Sequence, residues 1–132
     1  MESGKLREII GQWLEKANHD LMIVERDLAH DAPVTDVACF HCQQAVEKYL
    51  KAFLVSHLVK QPRIHDIEAL IRECAAFDGS FAKIQNISYL TDYAVELRYP
   101  DDFYMPSLDD AHKAFEDAKM VKDFVSVRLN VS

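Results

Sequence analysis

The stretch of residues 40–54 most limits the folds open to this chain. It contains neither Pro nor Gly, and we predict that it is the middle of a helix from about residue 35 to about residue 59, with Thr35 or Asp36 as its N-cap. When successive residues are placed about 100° apart around the helix axis, one broad arc is apolar. This arc has to be covered by other elements, as in a compact helical protein. Its members are Ala38, Cys42, Ala45, Val46, Tyr49, Leu50 and Phe53.

The opposite arc of this helix is polar. If it faced solvent, Glu47 and Lys51 would form a common i,i+4 pair of little energetic weight. Two apolar side chains and two adjacent neutral amides on the same arc favour a buried or interfacial face instead. We therefore interpret it as a candidate surface for a ligand or a partner. It carries Phe40, Gln43, Gln44, Glu47, Lys51 and Leu54, with Lys48 at its edge.

The composition indicates one compact domain. The chain has 132 residues, of which 49% are hydrophobic, with only three Gly and four Pro, and this argues against disorder. No apolar run approaches the roughly 20 residues of a membrane span, and the N-terminus lacks a signal-peptide pattern. We expect a cytoplasmic protein that does not bind membranes.

The charge is acidic overall but uneven along the chain. A formal net charge of −7 argues against a broad nucleic-acid surface, so RNA binding is not expected. Within residues 43–72, however, five Lys and Arg stand against three Asp and Glu. A local site for a phosphate group or an acidic partner is expected in this segment.

The cysteines do not indicate a metal or a disulfide framework. Three Cys is an odd number, which is unusual for a secreted disulfide-bonded domain. Cys39 and Cys42 have the spacing of a zinc-binding pair, but no second Cys/His pair stands at a suitable distance. Both also lie in mid-helix on the apolar side, so we expect no metal site.

Capping residues predict where the later helices begin and end. Asp66 should cap a third helix. A fourth, irregular helix is predicted from about residue 81 or 84 to residue 97, because Pro100 prevents its continuation. Ser107 and Asp110 form a capping box that should open the last helix. With the first helix, these elements predict an all-α protein.

Asp20 is the most informative charge of the first helix, which is predicted over residues 5–30 from apolar residues at three- and four-residue spacing. It projects at the edge of the apolar stripe. A buried carboxylate is costly unless it is paired, so we expect a neighbouring cation, with Lys48 or Arg98 as the leading candidates. The alternative is an exposed boundary residue.

Four motifs together resemble the HEPN domain family, over essentially the whole chain. They are Trp13 with Ala17, Asp20 and Leu21; Gln43-Gln44-Ala45-x-Glu47-Lys48 with Lys51-Ala52; Pro62-Arg63-x-His65-Asp66; and Arg98-Tyr99-Pro100-Asp101. The resemblance implies an antiparallel up-and-down four-helix bundle with one additional short helix, in a single domain spanning residues 1–132. It also implies a homodimer that works beside a minimal nucleotidyltransferase in a toxin–antitoxin-like pair.

Two activities are associated with such domains, namely nucleotide binding and metal-independent RNA cleavage. Members that cleave RNA carry an Arg followed, after four to six residues, by a His. Arg98 resembles that arginine, but positions 103–105 are Phe, Tyr and Met. The ribonuclease motif is therefore absent, and we do not expect an enzyme. The alternatives are a ribonuclease that pairs Arg98 with a non-standard histidine such as His65, and a plain helical scaffold.

The ligand would be a nucleotide such as ATP or AMP, with no other cofactor. Arg and Lys would hold its phosphates, amides and carboxylates would bind the base or ribose, and an aromatic ring would stack on the base. The alternative for Arg98 is a structural ion pair with Asp101, Glu47 or Asp20. The candidate ligand-binding residues are Gln43, Gln44, Glu47, Lys48, Lys51, His65, Arg98, Tyr99 and Asp101.

Overall fold

The computed structural model describes residues 3–60, 63–94 and 105–131. All regular elements in these ranges are helical, which confirms the all-α fold class. The predicted first helix of residues 5–30 is shifted by two residues at each end. The elements are a first helix Ser3–Leu28, a second Thr35–Ser56, a third Ile67–Ala75, a fourth Gly79–Tyr93 and a last helix Leu108–Leu129.

The second helix is the centre of the bundle. It contacts all four other helices, and the first helix also packs against the last. The largest fully buried side chains therefore include five residues of the second helix, namely Gln43, Val46, Tyr49, Leu50 and Leu54. Leu54, predicted on the polar face, is covered within the chain itself. Because one helix is enclosed from several sides, even its polar residues are drawn out of solvent.

The start of the second helix differs from the prediction. Neither Thr35 nor Asp36 is the N-cap; Val34 holds that position and supplies no side-chain cap. Its backbone N–H donates instead to both carboxylate oxygens of Asp27, at 2.9 and 3.0 Å. The Thr35 hydroxyl donates to the carbonyl of Pro106 at 2.7 Å. That hydroxyl is thus used to join this turn to the start of the last helix.

The second helix also ends three residues before the predicted residue 59. Leu58 adopts a left-handed conformation with φ of 65°. The N–H of Leu58 donates to the carbonyl of Val55, and that of Val59 to the carbonyl of Leu54. This is a Schellman motif, in which the left-handed position is usually Gly. Because this position holds a leucine and not a glycine, the sequence did not indicate that the helix ends here.

The fourth helix has 3-10 geometry and a kink at Ile84, and it ends at Tyr93 with Ala94 extended. The predicted end at residue 97 is therefore wrong. A 3-10 helix has 3.0 residues per turn, so its buried positions recur every third residue. Phe81, Ile84, Ile87 and Leu90 follow that spacing and are buried.

The predicted caps of the third and last helices are confirmed. The Asp66 carboxylate accepts the N–H groups of Glu68 and Ala69. Ser107 and Asp110 form the reciprocal capping box at the start of the last helix. No helix in the described ranges combines the length and the apolar character needed to cross a bilayer.

Candidate functional site

Asp20 is buried and paired with two side chains of the second helix. Its Oδ2 accepts from the Lys48 ammonium at 2.6 Å, and its Oδ1 lies 2.8 Å from His41 Nδ1. The expected cation is therefore present. His41 was missed by the sequence prediction, although a signal was available: it lies two helical turns before Lys48, so both side chains project from the same side of the helix.

The predicted polar face of the second helix is a buried hydrogen-bond network. Gln44 Nε2 donates to Gln43 Oε1 at 2.7 Å, and Gln43 Nε2 donates to Glu47 Oε2 at 2.8 Å. Lys51 Nζ donates to Glu47 Oε1 at 2.9 Å, and the two side chains are only 7% and 6% exposed. The interpretation of this face as buried rather than solvated is confirmed.

His65 connects the network to the surface. Its Nδ1 lies 2.6 Å from Glu47 Oε1, while 74% of its side chain is exposed. A carboxylate only accepts hydrogen bonds, so Nδ1 must carry the proton that it donates. This contact fixes the orientation of the imidazole and brings the start of the third helix against the second.

A groove lies between the first and second helices, beside this network. Its volume is about 340 Å³, and it is lined by Ile9, Gln12, Trp13, Lys16 and Lys48. The Lys51 ammonium stands over the Trp13 ring, 5.9 Å from the ring centroid. The buried network therefore ends against an aromatic wall of the groove.

The predicted site residues thus separate into three groups. Glu47 and His65 belong to the buried network together with Gln43, Gln44 and Lys51. Lys48 lines the groove and pairs with Asp20. Arg98, Tyr99 and Asp101 lie outside the described residues. That any of the nine binds a ligand remains a prediction.

The sequence prediction missed four lining residues, all on the first helix. Trp13 was named as part of a family motif but was not predicted to bind a ligand. Gln12 and Lys16 are exposed, and polar residues on an exposed helix face are ordinary. The only available signal was that they lie one helical turn apart and flank a tryptophan, a spacing that also occurs without any ligand.

The three cysteines are buried free thiols. Burial raises the pKa of Cys39 to about 11 and that of Cys74 to about 12, and it raises the pKa of Cys42 as well. Protonated thiols are poor metal ligands. Within the described part of the chain, no group of three or more His, Cys, Asp and Glu is arranged to hold a metal ion.

Comparison with known proteins adds a family and a fold. A sequence model of the HEPN domain matches residues 10–128. A crystal structure of TT1696 from Thermus thermophilus superposes with a TM-score of 0.69 at 25% sequence identity. The superposition covers 89% of this chain and 95% of that one. Among curated proteins, no match was found.

Proposed function

This chain belongs to the HEPN domain family, and from that premise we propose that it is a non-catalytic nucleotide-binding protein. It acts as a homodimer and works with a minimal nucleotidyltransferase in a toxin–antitoxin-like pair. The pairing with a nucleotidyltransferase is tested directly by asking whether the neighbouring gene encodes one.

The observation that carries the proposal is the buried network of the second helix. Amides, a carboxylate and an ammonium are assembled inside an apolar bundle, where each of them is costly to bury. Gln43 is fully buried, and Glu47 and Lys51 are nearly so. Small-molecule sites in proteins are mostly apolar and carry a few precisely placed polar groups. The network reaches the surface at His65. Its Lys51 ammonium also stands over Trp13, which lines a groove together with two lysines.

Arg98 is a further candidate phosphate-binding residue in this proposal. A guanidinium can hold two phosphate oxygens at once, which an ammonium cannot do with the same geometry. Tyr99 would stack on the base, and Asp101 would accept from the ribose. These three roles rest on the sequence motif alone.

Nucleotide binding is tested by thermal denaturation. AMP or ATP at a hundred times its Kd should stabilise the protein by about 2.7 kcal/mol, which raises Tm by several degrees in a domain of this size. Arg98→Ala should unfold at the same temperature as the wild type without nucleotide and lose most of the shift. If Arg98→Ala is unstable and the wild type does not respond to either nucleotide, the binding role is excluded.

Homodimer formation is supported by uncovered apolar side chains at one end of the bundle. Val34, Val37, Met105 and Leu108 are each between 43% and 52% exposed. They lie together because Thr35 joins the start of the second helix to Pro106, just before the last. Met105 directly follows the segment 98–104, which contains the Arg98-Tyr99-Pro100-Asp101 motif. An exposed apolar patch is more often part of an interaction site than other parts of a protein surface are.

We expect sedimentation to report a dimer at micromolar concentration and Leu108→Lys to shift it towards the monomer. A charge in the middle of a symmetric contact is repeated on both protomers and is therefore strongly unfavourable. Val127→Lys is the matched control, because Val127 is 71% exposed and lies near the other end of the last helix. A wild-type monomer would contradict the proposed assembly.

A ribonuclease is the second candidate, and the contact between Glu47 and His65 favours it. A buried carboxylate that binds Nδ1 leaves Nε2 of an exposed imidazole free to accept a proton, as a general base requires. Arg98 would then stabilise the developing charge on the phosphate. RNA cleavage that is lost in both His65→Ala and Arg98→Ala would establish this function; a lack of cleavage in the wild type would exclude it.

A further inference from the structure

We propose that the groove between the first and second helices binds a small aromatic anion, with its ring against Trp13 and its anionic group at Lys16 and Lys48. A nucleoside monophosphate is the ligand class that fits best. The choice of a nucleotide rests on the proposed function, whereas the choice of an aromatic anion rests on the groove alone.

The buried network is not itself an open ligand site, because both oxygens of its central carboxylate, Glu47, already accept hydrogen bonds. Glu47 Oε1 accepts from Lys51 and His65, and Oε2 accepts from Gln43. A ligand that took any of these partners would leave another buried polar group unpaired. The ligand therefore binds beside the network rather than within it.

The network instead positions the aromatic wall. Lys51 is held by Glu47 and stands over the Trp13 ring, 5.9 Å from its centroid. This distance lies at the outer limit of a cation–π contact. Gln43 holds the other carboxylate oxygen of Glu47, so the ammonium has little freedom to move away from the ring. Glu47, Gln43 and Lys51 are positioning residues for Trp13.

The charge of the groove selects an anion. None of its five lining residues is acidic, and two are lysines. Lys48 is partly neutralised by Asp20, but an ammonium has three N–H donors and keeps donors for a ligand. Lys16 is exposed and has no ion-pair partner among the described residues. Its charge is therefore available without the loss of an ion pair among these residues.

The size of the groove favours a single ring system with one anionic group. A volume of about 340 Å³ lies at the lower end of the range of roughly 300–1,000 Å³ for small-molecule sites. Ile9 and Trp13 supply the apolar part, and Gln12 adds an amide that can bind the edge of a base. A nucleoside monophosphate combines these features, with base, ribose and one phosphate.

Trp13 is the only tryptophan in the chain, so its fluorescence reports directly on the groove. AMP should change the emission in a saturable way, whereas adenosine and inorganic phosphate should each bind more weakly. Lys16→Gln should raise the Kd for AMP about tenfold through the loss of one charge-assisted contact, and leave adenosine binding unchanged. Because Lys16 is exposed and unpaired among the described residues, this variant should fold normally. Lys83→Gln, another exposed lysine outside the groove, should bind AMP like the wild type.

A second probe, 1-naphthyl phosphate, separates the groove from the proposed function. Saturable quenching by this probe that weakens in Lys16→Gln, with neither fluorescence nor Tm changed by AMP or ATP, would support the groove and exclude nucleotide binding. A rise in Tm with AMP, with unchanged Trp13 fluorescence and an unchanged Kd in Lys16→Gln, would overturn the groove and leave the proposed function standing. A lack of response to both probes would overturn the groove assignment.

Discussion

Replacing Glu47 with alanine should lower the free energy of unfolding by about 3–5 kcal/mol, the usual cost of removing one partner from a buried ion pair. Glu47 and Lys51 are 6% and 7% exposed, so the remaining ammonium has no route to water without a rearrangement. Gln43, which is fully buried, also loses the acceptor of its amide. Urea denaturation followed by circular dichroism measures the loss.

Two variants give this measurement its controls. Glu68→Ala removes an i,i+4 partner from an exposed pair with Arg72 and should cost about 1 kcal/mol or less. Glu47→Leu combined with Lys51→Met replaces both charges with apolar groups and should recover part of the loss. If Glu47→Ala costs no more than Glu68→Ala, the network contributes little to the stability of the bundle.

Asp20→Ala is expected to cost about 3 kcal/mol, near the lower end of the same range. Asp20 is 10% exposed and accepts from both Lys48 and His41. Both partners, at 22% and 24% exposure, reach water in part once the carboxylate is removed, which limits the loss. Asp20→Asn keeps the volume and removes the charge, so it separates packing from charge. A denaturation midpoint that does not change would mean that Asp20 behaves as a surface residue.

The helices were predictable from the sequence because their signals are local. The spacing of apolar residues and the capping groups of Asp66 and Ser107 act within one or two turns. The errors arose where the local signal was unusual. Leu58 occupies a left-handed position that normally belongs to Gly. The fourth helix has 3-10 geometry and repeats every three residues, not at the 3.6-residue period of an α-helix.

The site was predictable only where one helix contains it. Gln43, Glu47 and Lys51 stand at i, i+4 and i+8 on the second helix, so their common face could be read from spacing. The groove depends on how the first helix is aligned along the second, which places Trp13 and Lys16 beside Lys48. That alignment results from packing of the whole bundle, so no local sequence pattern predicts it.

The burial of the three thiols determines how the cysteines of this protein react with an oxidant. Peroxides and disulfides react with the thiolate form of cysteine. With pKa values of about 11 for Cys39 and about 12 for Cys74, almost none of either side chain is ionised near neutral pH. The cysteines of the folded chain therefore resist oxidation without a disulfide, and their oxidation begins only after the core opens. Oxidative damage at these cysteines therefore depends on how often the core opens.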